Sequence, residues 1–456
     1  MKNTIKQGQR DRWIALQQKF SPQLLKAIQN SGWLIAYQIL YMGMGLFVNV
    51  WLARYLGPEQ FGLYSYALAF IALFSTFLSL GLEGIVVRDM VREPEQQLEI
   101  LGTTFVIRFL GGCLSFALAL GVIALIRPSD HLIQLLVMIL GLGMVFRVFD
   151  VIDFWFQSEV QSRHTVFAKS AALTLGMVAK LILIFTKAPL IPFIAVTAAE
   201  VAAGGIGLVI AYQANGKSLT KWRVSFKRAQ TLLFQSWPLI LSGLAASINL
   251  KIDQVMLGEM VSNAEVGVYA AAARLSEVWY FMPTVIAAST FPALIRSKEA
   301  GATVYYNRLQ KLYNFLAGLA LVVAVGATFA AKPMITLLYG PAYAKAGTIL
   351  AIHIWASLFV FMREARAKWI ITEGLFKFGL IFHGLGAVMN LVINWFLIPL
   401  YGGIGAAIAT VVSYTIASYL ANFLHPKTRI AGTMMTIALL TPFRLGYKAL
   451  RQARAN

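Results

Sequence analysis

The chain has 456 residues, of which 59% are hydrophobic and 13% charged, with a mean hydropathy of +0.70. Soluble domains are about 45–50% apolar, so one soluble core cannot absorb this surplus, and the composition predicts an all-α polytopic membrane protein. The net charge of +20 does not indicate nucleic acid, because the basic residues gather in short segments between apolar runs, where anionic lipid headgroups meet them. Cys113 is the single cysteine, which excludes an intrachain disulfide and a cysteine-based metal site.

Residues 1–30 carry Lys2, Lys6, Arg10, Arg12, Lys19 and Lys26, with Trp13, Leu16, Phe20, Leu24 and Ile28 at helical spacing. They read either as a basic amphipathic segment on the membrane surface or as a solvated tail, without the apolar run of a signal peptide. A crossing needs ~20 apolar residues. The first half, 31–212, supplies runs at 32–53, 62–87, 101–126, 132–154, 166–186 and 190–212. A basic linker at 213–231 contains Lys217, Lys221, Arg223, Lys227 and Arg228. The second half, 232–424, supplies runs at 232–251, 266–294, 312–331, 347–372, 376–400 and 402–423. The tail, 425–456, holds a shorter apolar run at 430–443, followed by Arg444, Lys448, Arg451 and Arg454, and reads as an interfacial helix. Basic residues concentrate in alternate loops, which places both termini in the cytoplasm and requires an even number of spans; twelve satisfies this.

The halves echo each other. Phe61-Gly62-Leu63-Tyr64 opens the second run and Val266-Gly267-Val268-Tyr269 the eighth, each after a short hinge. An offset of six spans preserves orientation, so the expected relation is a parallel pseudo-two-fold along the membrane normal, with the substrate path between the halves.

Charges inside spans are costly, roughly 2.5–3.5 kcal/mol each at a helix centre, and mark functional or paired sites. The cations are Arg108, Arg147, Lys180, Lys251, Arg274, Arg363, Arg366 and Lys368, and the acids Glu83, Asp150, Asp153, Glu200, Asp253, Glu277 and Glu364. An excess of cations suits an anionic cargo, and guanidinium groups match phosphate bidentately. Arg147 and Arg274 are the leading cargo ligands, with Lys180, Arg108, Arg363 and Arg366 behind them. Alternatives stand beside each. Arg274 and Glu277 can pair along one helical face. Arg108, Arg363, Arg366 and Lys368 can snorkel to an interface. Lys251 and Asp253, near a helix end, can be solvated. Glu200, alone in its run, reads as a proton or cation coupling site or as a structural acid, and Asp150, Asp153, Asp253 and Glu277 are the further coupling or structural candidates. Among the aromatics, Tyr37, Tyr41, Trp51, Trp279 and Tyr280 can stack on sugars or simply pack. No loop is long enough for a soluble catalytic domain, and the five histidines lack metal-ligand spacing, so no catalytic residues, metal or cofactor are expected.

The segment Ala53-Arg54-Tyr55-Leu56-Gly57-Pro58-Glu59-Gln60-Phe61-Gly62-Leu63-Tyr64 resembles the first-loop signature of the polysaccharide transporter family. These are oligosaccharide-lipid (O-unit) flippases of the multidrug/oligosaccharidyl-lipid/polysaccharide exporter superfamily. The stretch 252–292 is similar to that family's seventh and eighth spans. Leu338-Tyr339-Gly340-Pro341-Ala342-Tyr343 resembles its fifth external loop, and Ile398-Pro399-Leu400-Tyr401-Gly402-Gly403 its last hairpin. The resemblance implies two six-helix bundles around a central cavity. It implies translocation of a polyprenyl-diphosphate-linked glycan across the bacterial inner membrane by alternating access. The intramembrane acids leave coupling to a proton or sodium gradient open, and glycan polymerase and export machinery are candidate partners. The competing readings are a lipid II flippase or a multidrug exporter of the same superfamily, and a membrane glycan polymerase or glycosyltransferase. The cation excess disfavours the multidrug exporter, and the short loops disfavour the enzyme.

Overall fold

The computed structural model describes residues 22–453, and its described elements are helical. The expected surface segment falls, up to residue 21, outside the described residues. Ten helices are long and apolar enough to cross a bilayer, and a bent pair, Pro341–His353 with Ala356–Thr372, adds an eleventh crossing. The first helix, Pro22–Ser79, has 58 residues. Straight, it would measure about 87 Å, close to three hydrocarbon cores. It is broken at Gly57, with φ 70° and ψ 171°. Gln38 and Asn49 before the break line the same cavity as Tyr64 and Ser75 after it. The chain therefore folds back at Gly57, giving spans one (22–56) and two (58–79).

Spans three to seven are Gln97–Ile126, His131–Ser158, Arg163–Phe185, Leu190–Ala214 and Phe226–Met260. Spans eight and nine are Asn263–Glu299 and Ala302–Tyr339. The bent pair is span ten, followed by eleven, Phe376–Tyr401, and twelve, Gly403–Phe423.

Hydrogen bonds sort the loops into two ends. At the first-loop end Tyr343 Oη donates to Ala53 O at 2.8 Å, Asn263 to Glu59 at 3.2 Å, Arg127 to Gly258 O at 2.6 Å, and Gly403 N to Glu265 Oε1 at 2.7 Å. At the other, linker end Arg228 meets Glu93 at 2.6 Å and Lys298 meets Glu373 at 3.1 Å. This is the alternation that the loop charges predict.

One apolar core joins the two halves near the first-loop end, where Phe61, Tyr66 and Phe70 share a cluster with Tyr269, Tyr339 and Tyr343. Elsewhere one core lies around Trp155 and Tyr212 in the first half, joined by Leu232 from the start of span seven, and another around Tyr313, Phe361 and Trp369 in the second. The echoed glycines explain where the halves touch. A Cβ on Gly62 would lie 1.7 Å from Asn263 O, and one on Gly267 would lie 2.1 Å from Pro58 O. Spans two and eight thus cross backbone against backbone at their echoed starts.

Several boundaries differ from the hydropathy reading. Span two ends at Ser79 rather than at 87, because Leu80 (φ 51°) and Gly81 (φ 61°) turn the chain into a separate short helix, Glu83–Arg92. Gly81 is also pressed on span seven, where a Cβ would come 2.5 Å from Leu239 Cβ. Span four contains a 3₁₀ turn at Phe146–Phe149, span eight another at Val278–Tyr280, and span twelve a π-helical turn at Thr415–Tyr419. Span ten bends by 44° between its two helices. Hydropathy averages over such breaks and cannot report them. Span nine is longer than the predicted 312–331 because its polar turns continue the helix beyond the apolar run.

The linker is docked on the first half: Arg223 N donates to Leu98 O at 3.2 Å and Ser225 N to Thr103 Oγ1 at 3.0 Å. Arg228 holds the Glu93 carboxyl below the usual carboxylate range through their hydrogen bond. The tail forms a helix, Pro426–Ala453, whose residues Ala431, Met434, Met435 and Ala438 share the core of Tyr313 and Leu316 from span nine.

Candidate functional site

A cavity of about 650 Å³ lies between the halves and is walled by spans one, two and four to eight. Breaks in the helices position its cations. In span four the 3₁₀ turn carries Arg147, and Arg108 Nη2 braces that turn by donating to Arg147 O at 2.9 Å. The Arg147 side chain is 52% exposed, and among the described residues its one side-chain tether is Asp150 at 3.6 Å. In span eight Arg274 projects into the cavity from the turn before the 278–280 break. It is exposed and makes no hydrogen bond or ion pair with the described residues. Lys180 pairs with Glu200 at 2.9 Å, and Lys251 with Glu277 at 3.5 Å. Four basic and two acidic side chains thus face one chamber. Neutral polar groups complete the first-half wall, among them Gln38, Asn49, Tyr41 and the Tyr64–Thr197 pair, whose hydroxyls lie 2.9 Å apart.

The structure therefore brings together Arg147, Arg274, Lys180, Glu200 and Glu277, and adds Lys251, which does not sit solvated at a helix end. Arg274 does not pair with Glu277 along the helix, because Lys251 from span seven takes that carboxylate. Glu200 is not alone, since Lys180 holds it.

The remaining arginines have other positions. Arg108 is 3% exposed, so it does not snorkel; it lies 5.1 Å from the Phe154 ring centre and 3.7 Å from Asp150. Asp150 and Asp153 share Lys169 at 3.1 and 3.0 Å, a half-buried cluster beside the cavity. Arg366 is 2% exposed and donates to the carbonyls of Ala417 and Ser418 at 3.0 and 2.9 Å, over the Phe382 ring at 4.4 Å. Those carbonyls lie at the π-turn of span twelve, where helical pairing is disturbed. Neither the cargo reading nor the interfacial reading matches that burial. Arg363 lies 3.6 Å from Glu364 and 5.6 Å from the Tyr414 ring centre, and it is not part of the cavity lining.

Asp253 is 2% exposed, which rules out the solvated reading. Its carboxylate accepts from Tyr269 Oη and Thr410 Oγ1 at 2.7 Å each and from Asn394 Nδ2 at 2.5 Å. Asn394 in turn donates to Asn390 at 3.2 Å, and its own Oδ1 is buried without a partner. The Asp253 carboxylate is thus held by three neutral donors, two hydroxyls and one amide N–H, and forms no ion pair with the described residues, the setting in which an intramembrane acid is a candidate for protonation.

Toward the first-loop end the halves meet through the shared core and through a polar cluster, the seal. Glu259 accepts from Tyr66 Oη at 2.5 Å and from Arg127 Nε at 2.9 Å, and the Arg127 guanidinium lies 4.5 Å from the Tyr66 ring centre. Sequence reading did not single out Arg127, which looks like an ordinary loop charge. The polar residues Gln38 and Asn49 inside an apolar run were the available signal for the neutral wall.

Two bundles enclosing a central charged cavity define a polytopic helical membrane architecture. Solved structures share this fold. A lipid II flippase MurJ in an inward closed conformation matches with a TM-score of 0.67 at 15% identity, over 92% of this chain and 93% of that one. An inward-facing multidrug resistance MATE family transporter of the MOP superfamily matches with a TM-score of 0.66 at 16% identity, over 86% of this chain and 94% of the other. Residues 27–298 match the model of the polysaccharide biosynthesis protein family, and the chain belongs to that family. The probable flippase AglR of Haloferax volcanii is 32% identical over 186 residues, 39% of this chain and 38% of the relative. The probable low-salt glycan biosynthesis flippase Agl15 of the same organism is 21% identical over 265 residues, 54% of each chain. The chain thus spans about half or less of these curated relatives' lengths.

Proposed function

We propose that this protein flips a polyprenyl-diphosphate-linked oligosaccharide, such as an O-antigen or exopolysaccharide repeat unit, across the cytoplasmic membrane by alternating access. The observation that carries this reading is the cation-rich chamber between the halves, in which Arg147 and Arg274 have exposed guanidinium groups. A diphosphate crossing ~30 Å of hydrocarbon needs such partners, because an unpaired anion there is prohibitively costly. The names of the relatives, both probable flippases, support flipping, and that of Agl15, a probable low-salt glycan biosynthesis flippase, supports a glycan as cargo. The loop charges favour a cytoplasmic linker end and cytoplasmic termini in a bacterial inner membrane, so cargo loads from the linker side and leaves past the Arg127–Glu259 seal for a polymerase and export machinery. Among the acids, Asp253 is the one we assign to coupling, since Glu200 and Glu277 are held by lysines.

The test is glycan export in a strain lacking the native gene. Arg147→Ala and Arg274→Ala are each expected to abolish export with expression and insertion intact. Full complementation by both variants overturns the assignment.

A further inference from the structure

Six ionic side chains line the cavity: Arg147, Lys180, Lys251 and Arg274 against Glu200 and Glu277. Their formal balance is an excess of two positive charges. Neighbouring ionic groups leave that excess intact. Asp150 and Asp153 are matched by Arg108 and Lys169, which lie within 3.7 Å of them. Asp253 is enclosed in the second half by neutral donors and does not line the chamber. In a diphosphate diester each phosphate keeps one negative charge at neutral pH, so the headgroup would offset the excess.

Resting on the reading of this chamber as the cargo site, we infer that the cavity is charge-matched to its cargo, neutral when loaded and doubly positive when empty, so that the membrane potential acts on the return of the empty cavity. The seal at Tyr66, Arg127 and Glu259 lies between the chamber and the first-loop end. While it is closed the potential falls across it, and the chamber takes the potential of the linker side. When the seal opens and the linker side closes, the same fixed charges take the potential of the first-loop side. They move through the field although they never leave the protein. An inside-negative potential therefore draws the empty, positive chamber back to the linker-facing state and leaves the loaded, neutral one unbiased. Two charges crossing a whole 100 mV field shift an equilibrium by roughly a thousandfold. Export of an anion is then driven forward because the step without cargo is the electrogenic one.

The test needs no cargo. Ala72, on the chamber wall, serves as reporter in an A72C/C113S protein, which removes the native thiol. The protein is reconstituted in proteoliposomes with first-loop ends outward, and a membrane-impermeant maleimide is added outside while valinomycin sets a potassium diffusion potential. An interior-negative potential is expected to slow labelling several-fold. The dependence steepens in Glu277→Gln, which leaves three excess charges, and flattens in Lys251→Met, which leaves one. It returns to the reporter's value in the K251M/E277Q double variant, where the balance is restored although the pair is gone. Lost packing alone would not give that order. Labelling that ignores the potential, or that responds identically in all four proteins, overturns the inference. Flipping of a fluorescent polyprenyl-diphosphate glycan by the same reporter separates the two readings: transport with voltage-insensitive labelling removes the charge-matching claim and leaves the cargo assignment standing.

Discussion

Arg147 and Arg366 look alike in sequence, each a guanidinium in an apolar run, yet they have opposite surroundings. Arg366 is buried and donates from Nη1 to two carbonyls at the π-turn, whereas Arg147 reaches open space. Hydrogen bonds to a charged donor contribute about 1.5–3 kcal/mol each. Arg366→Ala is therefore expected to lower the melting temperature of the detergent-purified protein, a destabilisation of roughly 2–4 kcal/mol, while Arg147→Ala leaves the melting temperature nearly unchanged and removes transport. Equal melting losses in both would contradict this division of roles. Asp253→Asn keeps the shape of its pocket and removes the charge, so cargo binding should persist while the dependence of flipping on a proton or sodium gradient disappears. A gradient dependence that survives in Asp253→Asn would remove Asp253 from coupling. Composition and charge placement announced that cations enter the membrane here. They could not say which ones are consumed by the backbone, because that depends on where a helix opens a 3₁₀ or π turn. Lys251 shows the same limit from the other side: it looked solvated at a helix end and is held at the chamber by Glu277, an acid 26 positions later in the chain.

Elements carried more of their information in the sequence. The apolar runs, the alternation of basic loops and the echo at Gly62 and Gly267 all have counterparts in the structure, because each rests on a local rule of length, charge or close approach. The echoed glycines lie where the halves meet, with no room for a side chain against Asn263 O or Pro58 O. Gly267→Ala therefore should hold spans two and eight apart at the first-loop end. External maleimide labelling of a chamber cysteine is expected to rise several-fold in that variant, and an unchanged rate would mean that this crossing does not close the seal. The helix breaks in spans four, eight and ten were not legible, since a window of apolar residues reads the same through a 3₁₀ turn as through a straight helix. Those breaks aim Arg147 and flank Arg274, so the part of the site that escaped the sequence is the part that depends on them.

At the scale of the molecule, two bundles share one core near the first-loop end, and beyond it only span seven reaches from the second half into the core of the first. That arrangement leaves a chamber between them and makes rocking of one half against the other the natural motion. The linker is docked on the first half, and a reporter fused after Phe226 is expected to read as cytoplasmic; a readout from the opposite side would invert the direction of transport proposed here. The central claim is that a cation-rich chamber between the halves carries a diphosphate-linked glycan. The most direct measurement is the flipping of a fluorescent polyprenyl-diphosphate oligosaccharide in proteoliposomes containing the purified protein alone. The account predicts flipping well above protein-free vesicles, lost in Arg147→Ala and Arg274→Ala and largely recovered when each arginine is replaced by lysine. Flipping that proceeds equally well in both alanine variants would contradict it.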